Sequence, residues 1–336
     1  MTFGTTPSGD PVLENGGGGA GPSPCPCCGT VDQGLLFQSV EPDFAVITCA
    51  RCGLGRTWPP VPDEAIGSWY PPSYYGDQNV RFNPLFERLT RWFRRRRGRV
   101  VRKLERPGKA LDVGCGRGFL LANLRDHGFD PLGLEVSDVA AWHARHVLGL
   151  PVRIARVEDL DLEDSSFNVV IFWHSLEHLT NPLAAIDRAR RMLRPGGLLV
   201  IAVPNFESWE ARAFGRHWFH LDIPRHYFHF GVRSLGSALR ERGFFVRKVD
   251  HFSLEQNPYG ILQSSLNLFG FEHNLLYMLL KRESARAKKL RQFPIQIIAT
   301  CFLAALLLPA SLLAMLIETA FRSGGTIEVY ATRDGE

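Results

Sequence analysis

Short apolar runs alternate with segments of helical period from residue 110 onward. The apolar runs predict strands and the segments between them predict helices. The predicted strands are Ala110–Val113, Pro131–Glu135, Val152–Ala155, Asn168–Trp173, Leu198–Val203 and Phe244–Phe252. The predicted helices are Gly118–Asp126, one that Ser137 or Asp138 caps, Pro182–Leu193 and Val232–Arg242. This regular alternation predicts an α/β fold, with a parallel sheet covered by helices on both faces.

Two Cys-x-x-Cys turns precede this region, with short strands predicted between them at 35–37 and 44–47. Their spacing is typical of a zinc ribbon, so we predict a structural zinc held by four thiolates. The predicted ligands are Cys25, Cys28, Cys49 and Cys52. Four protein ligands close the coordination sphere, which argues against a catalytic ion. Cys27 lies inside the first turn and could replace Cys28. The pattern of the seven cysteines indicates a metal site in a reducing compartment, not a disulfide framework.

Composition divides the chain into five regions, and the role of its basic clusters has more than one interpretation. We predict a disordered tail over 1–24, a zinc-ribbon-like module over 25–58, a Pro- and Tyr-rich connector with an amphipathic helix over 59–108, a main domain over 109–252 that resumes at 325–336, and an apolar helical insertion over 253–324. The formal net charge of +5 is modest and does not by itself indicate nucleic acid. The Arg run at 94–97 and the basic cluster at 281–291 could contact phosphates or anionic lipid, or could form solvated helix faces.

The first strand of the main domain runs into a glycine-rich turn that opens a helix, Asp112-Val-Gly114-Cys-Gly116-Arg-Gly118. Ligands of such sheets bind at the carboxyl ends of the strands, where glycines let the backbone approach closely. A dinucleotide fingerprint requires a small residue where this chain has Phe119. The second strand ends in Glu135, an acid suited to ribose hydroxyls.

These residues resemble the motifs of class I S-adenosylmethionine-dependent methyltransferases. The resemblance covers Lys109 to Phe252 and resumes at Thr326–Thr332, which it identifies as a seventh strand in a mostly parallel, Rossmann-like sheet. It implies S-adenosylmethionine as cofactor. The residues it implies at the cofactor are the loop residues Asp112, Gly114, Gly116 and Gly118, the ribose-binding Glu135, Glu158 and Asp159 on the adenine side, and Trp173 after the fourth strand.

The segment from His174 to His178 resembles the Glu-His motif of small-molecule and quinone-type methyltransferases. His174 stands where some relatives carry a metal-binding acid, and we expect it to contact substrate or cofactor. Glu177 and His178 could be functional or could only close the loop. The segment 215–230 resembles the acceptor-side loop and carries four histidines too irregularly spaced to predict a metal site. We predict His226 as the general base, because a histidine can be neutral near physiological pH.

An apolar run from Phe293 to Ile317 contains no charged residue and is long enough to span a membrane. A single crossing would separate the sixth and seventh strands, and Pro309 would break or kink a helix. We therefore predict a helical hairpin in one leaflet, or helices lying in the interface. The alternative is an apolar cap buried on the domain or in a dimer.

Together these features predict a cytoplasmic enzyme associated with the inner face of a membrane. It would methylate oxygen or carbon of an amphiphilic small molecule, such as a lipid-linked saccharide or a quinone-type precursor. An RNA methyltransferase that uses the zinc ribbon and the Arg run is one alternative. The Asn/Asp-Pro-Pro-aromatic motif of many nucleic-acid methylases is missing after the fourth strand, and the apolar insertion has no role in such an enzyme. A cofactor-binding scaffold without catalysis is the other alternative.

Overall fold

The computed structural model describes residues 4–5, 11–12, 22–61, 95–159, 162–281 and 292–335. Most of the predicted tail, residues 62–94 of the connector and nearly all of the basic cluster lie outside the described residues. The strands that build the site are, in chain order, β1 (Gln33–Gln38), β2 (Ala45–Cys49), β3 (Gly55–Trp58), β4 (Lys109–Val113), β5 (Asp130–Glu135), β6 (Val152–Ile154), β7 (Phe167–Trp173), β8 (Leu193–Pro204), β9 (Phe228–His229), β10 (Phe244–Asp250) and β11 (Thr326–Arg333).

Seven of these strands form the central sheet in the order β10-β11-β8-β7-β4-β5-β6. Only β11 runs antiparallel to its neighbours in this sheet, and the other pairs are parallel. The predicted Rossmann-like sheet is thereby confirmed. The register places Asp112 of β4 between Gly133 of β5 and Ile171 of β7. The carboxyl ends of the three strands therefore meet at one edge, where such sheets bind their ligands.

Helices cover the sheet and extend beyond it. They are α1 (95–104), α2 (Phe119–Asp126), α3 (Asp138–His146), α4 (Pro182–Met192), α5 (Trp209–Phe214), α6 (Val232–Glu241), α7 (Asn257–Asn267), α8 (Leu275–Leu280) and α9 (Pro294–Ala320). Ser137 caps α3 by accepting a hydrogen bond from the amide of Ala140 at 3.3 Å. The predicted break between a helix ending at Leu193 and a strand starting at Leu198 differs from the structure. Leu193 already pairs with Phe167, and β8 continues through an irregularity to Leu198.

A second sheet joins the cysteine module to the main domain. Its order is β9-β3-β2-β1, so its fourth strand comes from residues 228–229, far along the chain. Three of the predicted ligands, Cys25, Cys49 and Cys52, are buried in the same apolar core as Phe230 and Leu235. Packing thus makes the module a fixed part of the domain surface around residues 226–235.

The apolar insertion departs from the predicted hairpin. Residues 294–320 form one continuous helix with Pro309 inside it, so the hairpin prediction is wrong. A proline removes one backbone donor and can kink a helix, but the turns on either side keep their own hydrogen bonds. The helix is about 40 Å long at 1.5 Å per residue.

This helix, α9, presents most of its apolar surface outward. It packs on α7 and α8 through a narrow face with the buried residues Thr300, Ser311, Met315 and Glu318. Only 11% of its most apolar stretch is buried, and Ile298 and Phe302 are 72% and 69% exposed. The alternative of a cap buried on its own domain therefore does not hold within the described residues. By length and composition it is one helix that could cross a membrane.

Candidate active site

The three glycines of the loop after β4 serve different purposes. Gly114 has φ +78°, and a Cβ atom there would lie 2.6 Å from Cβ of Ser175. Gly118 has φ +77°, and a Cβ atom would lie 2.6 Å from Cβ of Ala144 on α3. Gly116 also has positive φ, at +49°, but the space beside it is open to 4 Å. The outer glycines therefore allow close packing, whereas the middle glycine faces a space that a ligand can fill.

Glu135 lies at the carboxyl end of β5 and shapes this loop. Its Oε2 atom accepts a hydrogen bond from the amide of Gly116 at 3.0 Å, and its Oε1 atom accepts one from the amide of Val136 at 2.9 Å. Burial raises the pKa of this carboxyl, while the amides of Gly116, Val136 and Ser137 oppose the shift. The acid predicted to bind ribose is thus placed directly beside the open middle glycine.

Asp112 and Trp173 lie close to the loop with unused polar atoms. Burial raises the pKa of Asp112 to about 7, although the Arg97 guanidinium favours its charged form. Within the described residues Oδ1 of Asp112 and Nε1 of Trp173 are buried without a hydrogen-bond partner. The Arg97 guanidinium lies 4.2 Å from the centre of the Trp173 ring. Buried polar atoms normally have partners, so these two atoms fit a site that holds a polar ligand.

Glu158 and Asp159 occupy the turn that follows β6, and both are exposed. Their predicted position on the adenine side follows from the strand order, since β6 is the outer neighbour of β5. A cofactor role for these two acids stays a prediction.

Comparisons with known proteins agree with this geometry. A family model described as "Methyltransferase domain" matches residues 85–249. The ubiquinone biosynthesis O-methyltransferase of Cereibacter sphaeroides is 32% identical over 124 residues, which cover 35% of this chain and 50% of that protein. The enzyme of the same name from Acinetobacter baylyi is 28% identical over 199 residues, covering 54% of this chain and 80% of that protein. The chain thus spans about half the length of the first of these relatives.

A solved structure supports the fold alone. It is a chain from the complex between the Haloferax volcanii Trm112 methyltransferase activator and a methyltransferase, with a TM-score of 0.50 and 18% sequence identity. The match covers 82% of this chain and 99% of that chain.

This chain carries a class I S-adenosylmethionine-dependent methyltransferase domain.

In the methyltransferase domain, the loop after β7 holds a buried anion. Glu177 is 1% exposed, and its Oε1 atom lies 3.4 Å from Nδ1 of His174, whose φ is +50°. Burial alone would raise the pKa of Glu177, but the His174 contact and the neighbouring His178 lower it to about 2. Its Oε2 atom is buried without a partner in the described residues. The hydroxyl of Ser175 donates to the carbonyl of Val113 at 2.6 Å, which ties this loop to the cofactor loop.

His226 comes to the same place from the loop before β9. Its Nδ1 atom lies 2.9 Å from the carbonyl oxygen of His220, and because a carbonyl only accepts, Nδ1 carries the proton. Nε2 then has a free lone pair, 3.9 Å from Oδ2 of Asp222. Burial lowers the pKa of His226 to about 4, and nearby His178 adds to this shift. The residue predicted as general base is therefore neutral, with a basic nitrogen in place.

His178 completes the cluster and was not assigned a role from the sequence. Its Nδ1 atom bonds the carbonyl oxygen of Arg225 at 3.0 Å, and its ring meets that of His226 edge-on with centroids 4.6 Å apart. Ligand atoms of Glu177, His178 and His226 lie within 4.8 Å of one another, close enough to share one cation. The spacing along the chain carried no signal of this, because the three residues come from two loops about 50 positions apart.

The cysteine cluster has the dimensions of a four-thiolate metal site. Sγ of Cys25 lies 3.6 Å from Sγ of Cys52, and Sγ of Cys28 lies 3.5 Å from Sγ of Cys49. Tetrahedral zinc with Zn–S bonds of about 2.3 Å would place its sulfur atoms about 3.8 Å apart. Cys27 instead directs its thiol to the carbonyl of Ser234 at 3.5 Å. The four predicted ligands thus fit zinc, and Cys27 does not compete with them.

Two arginines of the run, Arg96 and Arg97, face the protein, whereas Arg95 is exposed. Arg96 forms ion pairs with Asp250 at 2.6 Å and with Glu328 at 3.3 Å, and Arg97 pairs with Glu255. Two guanidinium groups of the run are therefore engaged inside the domain. The RNA alternative would use arginines of this run for phosphates, whereas Arg96 and Arg97 are paired with carboxylates of the domain.

Proposed function

We propose that this protein transfers a methyl group from S-adenosylmethionine to oxygen or carbon of an amphiphilic small molecule, and that a quinone-type precursor is the favoured class. Bound S-adenosylmethionine would supply an electrophilic methyl group on a sulfonium. Asp112, Gly116 and Glu135 would hold the cofactor, with Trp173 and Asp159 next to it. The open space at Gly116 and the unpartnered Oδ1 atom of Asp112 support this placement.

The neutral imidazole of His226 beside two carboxylates is the observation that carries the proposal. Nε2 would accept the proton of an acceptor hydroxyl or acidic C–H. The imidazolium that forms is stabilised by Glu177, which stays ionised, and by Asp222. The Arg225 guanidinium lowers the pKa of Asp222 against the opposing effect of burial. General-base catalysis of this kind contributes roughly 10²- to 10⁴-fold. His174 would orient Glu177 through their contact.

The acceptor class rests on relatives and on the outer surface. The named relatives are O-methyltransferases of ubiquinone biosynthesis. The exposed apolar face of α9 is suited to the interfacial region of a bilayer. The end of α9 packs on α5, which leads into the segment 215–230: Oε1 of Glu318 accepts from the amide of Glu210 at 2.9 Å, and the ring of Phe321, just after the helix, lies 5.2 Å from that of Trp209. We infer that the protein works at a membrane surface, where an amphiphilic acceptor is concentrated.

Transfer of labelled methyl groups tests the proposal. The protein is incubated with methyl-labelled S-adenosylmethionine and either a membrane lipid extract or a soluble extract, and the label is followed by chromatography. We expect label in the lipid fraction with the wild type, a loss of about 10²-fold or more with His226→Ala, and no change with His146→Ala, which replaces an exposed histidine of α3. Cofactor binding without transfer to either extract would instead support the non-catalytic scaffold.

A further inference from the structure

The cysteine module contributes directly to the loop that carries His226. Strand β3 of the module pairs antiparallel with β9, with Arg56 opposite Phe228 and Gly55 opposite His229. The contact is tight, because a Cβ atom at Gly55 would lie 2.7 Å from the Phe206 ring and 2.9 Å from Cβ of His229. Any movement of β3 would therefore be transmitted to the residues next to His226.

Thr57 of β3 makes three hydrogen bonds to this loop. Its hydroxyl donates to the carbonyl of His226 at 2.6 Å, and its amide donates to the carbonyl of Tyr227 at 3.1 Å. The same hydroxyl oxygen lies 3.1 Å from Nε2 of His229. Since the hydroxyl proton goes to the His226 carbonyl, His229 must donate from Nε2. Burial lowers the pKa of His229 to about 3, which agrees with a neutral ring.

Thr57 holds the backbone of His226 through its carbonyl group. On the other side, the amide of His226 donates to the carbonyl of Asp222 at 3.1 Å, and its ring donates to the carbonyl of His220. Both of those partners belong to the same loop. Thr57 thus ties the His226 backbone to the cysteine module, while the loop after β7 holds the adjacent backbone through the Glu177 carbonyl, which accepts from the Tyr227 amide at 2.9 Å.

The metal end of the module is five residues away. Cys52 precedes Thr57 by five positions, and the turn between them is closed by hydrogen bonds from Gly53 to Cys49 at 2.9 Å and from Cys49 to Leu54 at 3.0 Å. A metal held by the four thiolates would fix this turn and hence the start of β3. Occupation of the metal site would in this way be linked to the orientation of β3.

We propose that Thr57 is a positioning residue for His226. Through Thr57, the cysteine module would hold His226 in place and so form part of the acceptor site. The proposal rests on the proposed function for its effect on catalysis. Its structural part, the control of the His226 and His229 rings, can be measured without any methyl acceptor.

Three variants separate positioning from stability. Thr57→Val removes the hydroxyl and keeps the shape of the side chain, and Thr57→Ser keeps the hydroxyl. Thr48→Val is the control: it makes the same threonine-to-valine change on the neighbouring strand β2, away from the loop. We expect Thr57→Val to lower kcat about 10- to 100-fold with little change in KM or cofactor affinity, because small misplacement of a reacting group costs this much. Thr57→Ser and Thr48→Val should stay within about threefold of the wild type in kcat.

Ring ¹⁵N chemical shifts give the second measurement. In Thr57→Val the His229 Nε2 donor loses its acceptor, so the ¹⁵N signals of His229 and His226 should move, whereas they should be retained in Thr57→Ser. Removing the metal with a chelator should move the same signals in the wild type, and added Zn²⁺ should restore them. Unchanged signals and unchanged kcat in Thr57→Val would overturn the positioning role. Unchanged signals after chelation would overturn the link to the metal.

The two proposals fail in different ways. If no acceptor is methylated by the wild type, the proposed function fails, and the ring signals still decide whether Thr57 positions His226. The wild type and Thr57→Val could instead be equally active although the ring signals move in the variant. Thr57 would then position His226 without any effect on catalysis, and the proposal for Thr57 would fail while the proposed function stands.

Discussion

Gly116→Val tests the cofactor site most directly, because the structure separates its effect on binding from its effect on folding. Gly116 has φ +49°, so any side chain there costs about 1–2 kcal/mol of backbone strain. In the free protein a Cβ atom at this position has no heavy atom within 4 Å, so backbone strain is the main expected cost to folding. A bound cofactor would need that same space. An overlap of about 1–3 kcal/mol corresponds to a rise in the dissociation constant of roughly 5- to 150-fold.

A second glycine provides the matched control. Gly149 has φ +60° and likewise open space to 4 Å, but it lies in the turn after α3 and not in the loop. Gly149→Val should therefore lose similar stability in urea unfolding and keep its affinity for S-adenosylmethionine. Isothermal titration calorimetry measures the affinity of both variants. If Gly116→Val binds the cofactor as tightly as the wild type, the loop is not the binding site and the reasoning is refuted.

Three further predictions concern the base, the membrane and the metal. The pKa of about 4 for His226 keeps its base form populated as pH falls from 8 to 6, so kcat/KM should decline only towards pH 4; a decline centred near pH 6.5 would contradict this. Ile298→Glu combined with Phe302→Glu should reduce sedimentation with anionic vesicles at unchanged cofactor affinity; undiminished sedimentation would count against membrane contact by α9. One zinc per chain is expected by atomic absorption, lost in Cys49→Ser and kept in Cys27→Ser; metal loss from the latter would contradict the ligand assignment.

The free energy of unfolding at acidic pH should also depend on the buried histidines. His226 has a folded pKa below its unfolded value, so at pH values between the two the unfolded chain binds more protons. Stability from this group is therefore intact above pH 6.5 and falls as pH drops towards 4. His220 and His229, whose pKa values burial lowers to about 3, add to the same trend.

Local patterns determined much of the fold in advance. The predicted boundaries of β4 to β7 agree with the structure within one residue; β4, β5 and β7 are mostly buried, and such parallel strands are continuous apolar runs. The glycine loop and the cysteine pairs were also readable, since each needs particular residue types at short spacing. The α9 helix was misjudged as a hairpin because a proline predicts a local break, whereas continued hydrogen bonding on both sides keeps one helix.

What only the tertiary structure decided is the cluster around His226 that we propose as the acceptor site. Glu177 and His178 meet His226 across about 50 positions, and Thr57 reaches the same loop from about 170 positions away. No periodicity or spacing along the chain predicts such contacts, because they depend on which loops the strand order brings to one edge of the sheet. Side-chain burial then sets the charges, so that His226 stays neutral beside an ionised Glu177. The sequence alone thus determined the sheet, the glycine-rich loop and the set of four thiolates, and three-dimensional packing decided which histidine lies beside buried carboxylates.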